Sequence, residues 1–178
     1  MIRLATGADS AALLQLQRRL DGQSAFMMYE ANERDDDLEG LRRRLEAQHG
    51  TGSFDLVATD VASVEQPALV GWLAVEVVPF RRAEHVGHLV LGVDAEHSGK
   101  GTGAALLAAA VAEAPGRELR RLELTVMTDN LRALHLYLRS GFEVEGLRRQ
   151  AMLRQGRLVD EYFMATLLPG LKVPCHEL

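Results

Sequence analysis

Apolar residues recur along this chain with two different spacings, and the alternation of these spacings predicts a mixed α/β fold. Segments with the β-branched, apolar character of strands are 2–5, 54–59, 69–78, 85–93, 122–127, 142–149 and 158–167. Segments with helical periodicity are 9–19, 35–48, 101–113 and 130–140, and residues 21–33 are predicted to form a loop.

The connections between these segments predict how the strands pair. The polar stretch 60–67 indicates a hairpin between two consecutive strands, and Gln155 with Gly156 indicates an antiparallel pairing of the last two strands. The strand, helix and strand between residues 85 and 127 predict a right-handed parallel crossover.

A glycine-rich loop follows the strand that ends at Val93 and opens the next helix. Gly99, Gly101 and Gly103 can adopt backbone angles closed to other residues, and without a Cβ they leave room for a ligand. Successive N–H groups in such a loop, together with the positive end of the helix dipole, favour an anion. The loop therefore predicts a phosphate site, with a purely geometric turn as the simpler alternative.

Two phosphate motifs can be compared with this loop. A nucleoside-triphosphate loop requires Ser or Thr directly after Lys100, where Gly101 stands, so that motif is excluded. The dinucleotide motif is formally met by Gly99, Gly101 and Ala104, with Glu123 near the expected distance of a ribose-binding acid. About ninety residues precede the loop, whereas the dinucleotide motif normally follows a first strand, so a dinucleotide-binding oxidoreductase stays a remote alternative.

The helix predicted over 130–140 carries a second pattern. Asn130, Ala133 and Tyr137 share one helical face, and Gly141 is placed to end the helix before Phe142. The order V-x5-G-K-G-x-G-x-x-L-L, then N-x-x-A-x-x-x-Y-x-x-x-G-F-x-x-E-G, resembles the GCN5-related N-acetyltransferase (GNAT) family. The resemblance runs from residue 2 to about residue 168.

This resemblance implies an α/β fold with a mixed, centrally splayed sheet of about six to seven strands, flanked by about four helices. It also implies a single acetyltransferase domain over 1–168, followed by a C-terminal tail over 169–178. The length of 178 residues and the 47% hydrophobic content agree with one substantial core.

The resemblance further implies acetyl-CoA as co-substrate, with its pantetheine arm between two splayed parallel strands and its pyrophosphate on the glycine loop. The positions implied for cofactor binding are Leu91, Gly92, Val93, Ser98, Gly99, Lys100, Gly101, Thr102, Gly103, Ala104, Asn130, Ala133 and Tyr137. Ser98 stands where the family usually has Arg or Gln, so this loop carries a shorter and uncharged side chain.

The reaction implied by the family is direct attack of an uncharged primary amine on the thioester in a ternary complex. Backbone N–H near Leu91 would meet the oxyanion, and Tyr137 is the candidate general acid for the departing thiolate. The family's usual glutamate base corresponds here to Gly87. Candidates for that base are Glu76 and His88, followed by Glu84 and His85. A non-catalytic acyl-CoA sensor or interaction module is the alternative if none of them acts.

The implied acceptor is a small-molecule amine, or the N-terminus or a lysine of a protein. Met27, Met28, Tyr29 and Glu30 form an apolar patch with one acid, and Met28, Tyr29 and Glu30 of this patch are predicted to bind the acceptor. The net charge of −5 argues against a general nucleic-acid surface. Cys175 is the one cysteine, which leaves no disulfide framework and no cysteine–histidine metal cluster, and no metal is expected.

The N-terminal sequence lacks the apolar stretch of a signal peptide or membrane span, so a cytoplasmic protein without a membrane partner is expected. The resemblance also allows a homodimer.

Overall fold

A computed structural model describes residues 1–48, 50–60 and 68–168 of the chain. The predicted tail with Cys175, and residues 61–67 of the predicted hairpin connection, lie outside the described residues. The strands are β1 (Ile2–Leu4), β2 (Phe54–Thr59), β3 (Leu69–Glu76), β4 (Val86–Val93), β5 (Arg121–Met127), β6 (Glu143–Arg154) and β7 (Arg157–Leu167). The α-helices are α1 (Ser10–Gln23), α2 (Leu38–Ala47), α3 (Thr102–Glu113) and α4 (Leu131–Arg139).

The strands form one sheet in the order β1-β2-β3-β4-β5-β7-β6. Only β4 and β5 run parallel, joined by the predicted crossover through α3, and the other neighbours are antiparallel. The hairpin of β6 and β7 turns at Gln155 and Gly156, both with positive φ, as the sequence predicts. The predicted mixed α/β fold class is confirmed.

The parallel pairing at the centre of the sheet is short. Residues 86–88 of β4 pair with residues 121–123 of β5, and the pairing ends there. Beyond it the strands separate, so residues 89–93 have β3 as a neighbour but no partner in β5. This is the central splay that the family resemblance implies.

Two apolar layers cover the sheet and leave the splay open between them. On one face, α3 and α4 pack against a core that includes Leu73, Leu106, Leu122, Phe142 and Met164. On the other face, α1 and α2 pack against a second cluster of buried residues, which contains Leu13, Leu16, Leu20, Leu45, Val57, Leu69, Trp72 and Ala74. Strand residues alternate between these layers, because successive side chains on a strand point to opposite faces.

A buried carboxylate fastens α2 to the sheet. The side chain of Asp55 accepts two hydrogen bonds from Arg44, at 2.9 and 3.0 Å, and one from Trp72 Nε1 at 2.5 Å. The side-chain amide of Gln48 donates a further, short bond to the same carboxylate. Because a charge buried without partners is costly, this network favours the observed position of α2 against the sheet.

Several element boundaries differ from the sequence prediction. Helix α1 continues to Gln23, four residues beyond the predicted end, so the predicted loop over 21–33 starts later. Helix α2 begins at Leu38 because the Asp37 side chain accepts a hydrogen bond from Gly40 N and caps it there. Strand β6 runs to Arg154 because an irregularity around Gln150, which has positive φ, lets its pairing with β7 resume.

Within the described part of the chain, no helix has the length and apolar character needed to cross a membrane.

Candidate active site

A cleft of about 450 Å³ opens where β4 and β5 separate. Its walls are residues 89–93 of β4, residues 125–127 of β5, one face of α4, and the end of α1 with the segment after it. The β4 backbone on this side has no strand partner, and buried backbone N–H and C=O groups need hydrogen-bond partners. An extended ligand with amide groups can provide them, much as an added strand would.

The glycine loop at the end of β4 uses its glycines in two ways. Gly99 and Gly101 have φ of 80° and 88°, and Gly101 is the N-terminal cap of α3. A Cβ on Gly103, by contrast, would come within 3.1 Å of the Leu136 side chain. The first two glycines therefore serve the conformation of the loop, and the third allows α3 and α4 to pack closely.

The residues predicted to bind the cofactor separate into two sets. Those that line the cleft are Leu91, Gly92, Val93, Ser98, Asn130, Ala133 and Tyr137. Those that continue from Ser98 into the start of α3, outside the cleft lining, are Gly99, Lys100, Gly101, Thr102, Gly103 and Ala104. The Thr102 hydroxyl donates to the backbone oxygen of His97 at 3.4 Å, which holds the loop against the helix.

Arg132 brings a positive charge to the glycine loop. It lines the cleft from the first turn of α4, and its Nη2 atom lies 3.0 Å from where a Cβ on Gly99 would be. It forms no hydrogen bond or ion pair with another residue in the described part of the chain. Sequence reasoning missed this residue, although a cation two positions after Asn130 was a usable signal. Arg132 therefore places a guanidinium from α4 beside the loop in which Ser98 carries no charge.

Helix α4 presents Asn130, Ala133 and Tyr137 to the cleft on one face, as the spacing predicts. The Asn130 side chain accepts a hydrogen bond from Ala133 N at 3.2 Å and caps the helix. Tyr137 is 7% exposed, and its ring packs against Phe142 with 5.9 Å between the centroids. Burial raises the pKa of Tyr137 to about 12. Its hydroxyl makes no hydrogen bond with any residue that the structure describes.

The structure places one of the two main base candidates in the cleft. His88 lines the cleft, whereas Glu76, its direct partner across β3 and β4, is exposed and outside the lining. Glu84 and His85 precede β4 and do not line the cleft either. A Cβ on Gly87 would meet Val75 Cγ1 at 2.5 Å, so that position faces the core. The cleft-facing position on this part of β4 is therefore His88.

The predicted acceptor residues are only partly brought to the cleft. Met28 lines it, but Tyr29 and Glu30 do not, and the Arg34 guanidinium lies 4.4 Å from the centre of the Tyr29 ring. Met27, which belongs to the predicted apolar patch, also lines the cleft. Residues that sequence reasoning missed on this side are Phe26, Met152 and Glu161. Met152 and Glu161 reach the cleft through the pairing of β5, β7 and β6, which no local pattern reveals.

Among the described residues, no group of three or more His, Cys, Asp or Glu side chains is arranged to hold a metal ion.

The sheet topology overturns the dinucleotide alternative for the glycine loop. That motif joins the first strand to the first helix of a doubly wound parallel sheet. Here the loop follows the fourth strand, in a sheet with a single parallel pair among the described strands. Glu123 is engaged in an ion pair with Arg121 at 2.9 Å.

The sequence and the fold were compared with known proteins. The model of the acetyltransferase (GNAT) family matches residues 19–142. The L-amino acid N-acetyltransferase AaaT of Escherichia coli (strain K12) is 37% identical over 99 residues, which are 54% of this chain. That match spans 60% of the length of the Escherichia coli protein.

Two solved structures superpose over nearly the whole chain. The acetyltransferase of the GNAT family from Streptococcus pneumoniae has a TM-score of 0.88 and 26% identity, covering 95% of this chain and 99% of its own. The yncA protein of Salmonella typhimurium, solved with its cofactor acetyl-CoA, has a TM-score of 0.83 and 24% identity, covering 99% and 98%. With the family model matched over more than half of its residues, this chain belongs to the acetyltransferase (GNAT) family.

Proposed function

We propose that this protein transfers an acetyl group from acetyl-CoA to a primary amine. The observation that carries the proposal is the splay of β4 from β5. It leaves residues 89–93 without a strand partner on their β5 side, in a cleft that Tyr137 also lines and that leads to the glycine loop. The Salmonella typhimurium protein of the same fold holds acetyl-CoA, and the Escherichia coli relative is an N-acetyltransferase, which supports the assignment.

The residues of the cleft fit the parts of acetyl-CoA. The backbone of Leu91 and Val93 would bond the amides of the pantetheine arm. The backbone of residues 99–104 and the guanidinium of Arg132 would hold the phosphates, since a loop of N–H groups and a free cation both favour anions. Acetyl-CoA when bound supplies the activated thioester, and no metal is required of the protein.

His88 is the group best placed to accept a proton from the attacking amine. It is the imidazole that lines the cleft among the described residues, and a neutral imidazole has one ring nitrogen that can accept a proton. An ammonium must lose a proton before its nitrogen can attack a carbonyl, and a second proton leaves once the nitrogen has bonded. His88 passes these protons to solvent at the open side of the cleft.

Tyr137 acts on the leaving sulfur by hydrogen bonding. Its pKa of about 12 lies well above that of an ordinary thiol, about 8.5, so the phenol keeps its proton while a thiolate is present. Its hydroxyl has no hydrogen-bond partner among the described residues, so it can donate to charge that develops in the cleft. We therefore propose that Tyr137 donates a hydrogen bond to the leaving sulfur, rather than transferring its proton as the general acid that the family resemblance implies.

We propose a small-molecule amine as the acceptor rather than a protein N-terminus or lysine. The relative from Escherichia coli is named for L-amino acids, and the wall formed by Phe26, Met28 and Met152 suits a compact, partly apolar amine. A cytoplasmic location, the absence of a nucleic-acid partner and a homodimer remain expectations from the sequence.

The test is thermal stabilisation of the purified protein by acetyl-CoA, with NADH and ATP–magnesium as parallel controls. A ligand that prefers the folded state raises the melting temperature by mass action. We expect acetyl-CoA, but neither control, to raise the melting temperature. We then expect thiol release when the protein and acetyl-CoA are incubated with members of a panel of primary amines. Binding without turnover on that panel would favour the acyl-CoA sensor, and no shift with acetyl-CoA would overturn the proposal.

A further inference from the structure

Glu161 is the one carboxylate that lines the cleft among the residues that the structure describes. It is 5% exposed, although it belongs to a residue type that is rarely buried without a partner. The other ionisable side chains of the lining, apart from Tyr137, are His88 and Arg132. The charged lining therefore consists of a cation near the glycine loop, an imidazole on β4, and a single anion on β7.

The anion and the imidazole occupy different ends of the cleft. Glu161 is opposite Met127 on β5, whereas His88 is level with Glu123 on the same strand. The two positions are four residues apart along β5, which is roughly 13 Å. They are also separated across the sheet, because β7 and β4 lie on opposite sides of β5 and neighbouring strands are about 4.8 Å apart. The two side chains therefore serve different groups of one ligand.

The Glu161 carboxylate is only half satisfied within the protein. Its Oε2 atom accepts a hydrogen bond from Arg148 Nη1 at 2.9 Å, and Oε1 has no hydrogen bond to any described residue. The Arg148 side chain is 53% exposed, so water solvates much of the one cation that pairs with Glu161 among the described residues. Oε1 is not fully buried and stays open to the cleft, so a cationic group of a ligand can donate a charge-assisted hydrogen bond to it.

The surroundings of Glu161 favour the alkyl part of an amine. Phe26, Met28 and Met152 line the same side of the cleft. The Arg154 side chain lies over the Phe26 ring, 5.1 Å from its centre, and is paired with Asp129, which holds the β6–β7 hairpin against this wall. A methylene chain can therefore run along an apolar wall toward a carboxylate.

We infer that Glu161 binds a second cationic group of the acceptor, at a distance from the nitrogen that attacks the thioester. The preferred acceptors are then diamines and other amines that carry a second positive charge. This inference rests on the proposed acetyl transfer, and it assigns the substrate class of that site.

The first experiment compares matched acceptors in the thiol-release assay. Linear diamines and monoamines of equal chain length are assayed with the wild type, Glu161→Gln and Glu145→Gln. Glu145 is the matched control. It also lies on the β6–β7 hairpin and pairs with an arginine, Arg121 of β5, at 2.5 Å, but it is outside the cleft lining.

We expect the wild type to have a kcat/KM for diamines that is at least about tenfold higher than for monoamines. A tenfold difference corresponds to one charge-assisted hydrogen bond. Glu161→Gln should remove that preference by raising KM for diamines and leave monoamines nearly unchanged, while Glu145→Gln should keep it. Equal kcat/KM for diamines and monoamines in the wild type would overturn the inference, whatever the variants do. So would equal losses for both acceptors in Glu161→Gln.

A binding measurement separates this inference from the proposed function. Calorimetric titration of a diamine into the protein without acetyl-CoA should show binding that Glu161→Gln weakens by about tenfold and Glu145→Gln does not. Equal diamine affinity in the wild type and Glu161→Gln would overturn the inference even if acetyl transfer is confirmed. Conversely, failure of acetyl-CoA to bind would overturn the proposed function, while Glu161-dependent diamine binding would still support the cationic subsite.

Discussion

Arg132 lies directly against Gly99, with its Nη2 atom 3.0 Å from where a Cβ on that glycine would project. The two residues are 33 positions apart in the sequence. Their proximity gives the glycine loop a guanidinium that the neighbouring Ser98 cannot provide. We therefore predict that phosphate binding at this loop depends on α4 as well as on the loop itself.

Arg132→Gln should weaken acetyl-CoA binding about tenfold, since one charge-assisted hydrogen bond to a phosphate is lost. Calorimetric titration at two salt concentrations checks this, and the variant should also show a smaller salt dependence. Arg139→Gln, at the other end of the same helix, is the control and should bind like the wild type. Unchanged affinity in Arg132→Gln would mean that the backbone alone holds the phosphates.

Tyr137→Phe should lower turnover roughly 10- to 100-fold while acetyl-CoA affinity changes little, because only the hydrogen bond to the leaving sulfur is lost. Steady-state kinetics and calorimetry measure the two quantities separately. Unchanged turnover would remove Tyr137 from the chemistry.

The raised pKa of Tyr137 also predicts a pH dependence of stability. The folded-state pKa of about 12 exceeds the ordinary value near 10. The contribution of this group is therefore complete below pH 10 and is lost as the pH rises from about 10 toward 12. Relative to Tyr137→Phe, the wild type should lose about 2–3 kcal/mol of unfolding free energy over that interval, measured by denaturant titration. A constant difference between the two proteins would contradict the burial of a neutral phenol.

His88→Ala should lower kcat about 100-fold and leave acetyl-CoA affinity unchanged, because the group that accepts the amine proton is removed. The fall in wild-type turnover at acidic pH should be weaker in the variant, since a protonated imidazole cannot act as a base. Glu76→Gln is the comparison, because Glu76 is opposite His88 on β3 but outside the cleft, and its effect should be small. If Glu76→Gln has the larger effect, the base has been assigned to the wrong strand.

Asp55→Ala should reduce the free energy of unfolding by about 3–5 kcal/mol, because Arg44, Gln48 and Trp72 lose their common acceptor. Urea denaturation followed by circular dichroism measures this loss. Glu46→Ala is the control: Glu46 is paired with Arg42 at 3.0 Å on the exposed face of α2, where such pairs contribute less than about 1 kcal/mol. Equal effects of the two substitutions would show that the Asp55 network adds little beyond a surface ion pair.

The local patterns that predicted the fold came from short stretches of chain. The spacing of Asn130, Ala133 and Tyr137 predicted one face of α4, because side chains three, four and seven positions apart on a helix point the same way. The turn at Gln155 and Gly156 was equally local, since both residues adopt the positive φ of a tight hairpin. The crossover from β4 to β5 followed from the order and length of its segments.

The sequence left open which candidate side chains reach the cleft. It offered Glu76 and His88 as bases without deciding between them, because strand side chains alternate and a shift by one residue moves a side chain from the core to the cleft. Tyr29 and Glu30 were expected in the acceptor site because they adjoin Met28 in the sequence. In the structure, Met28 lines the cleft and its two neighbours do not.

The sequence by itself determined the element types, the glycine loop, the face of α4 and the family, because each depends on residues close together in the chain. Only the tertiary structure decided that Arg132 reaches Gly99 and that His88 faces the cleft. It also decided that Glu161 is the carboxylate of the cleft lining among the described residues. These three relationships depend on strand register and helix packing between distant segments. Such pairings are selected by the burial of the whole core, and no local spacing encodes them.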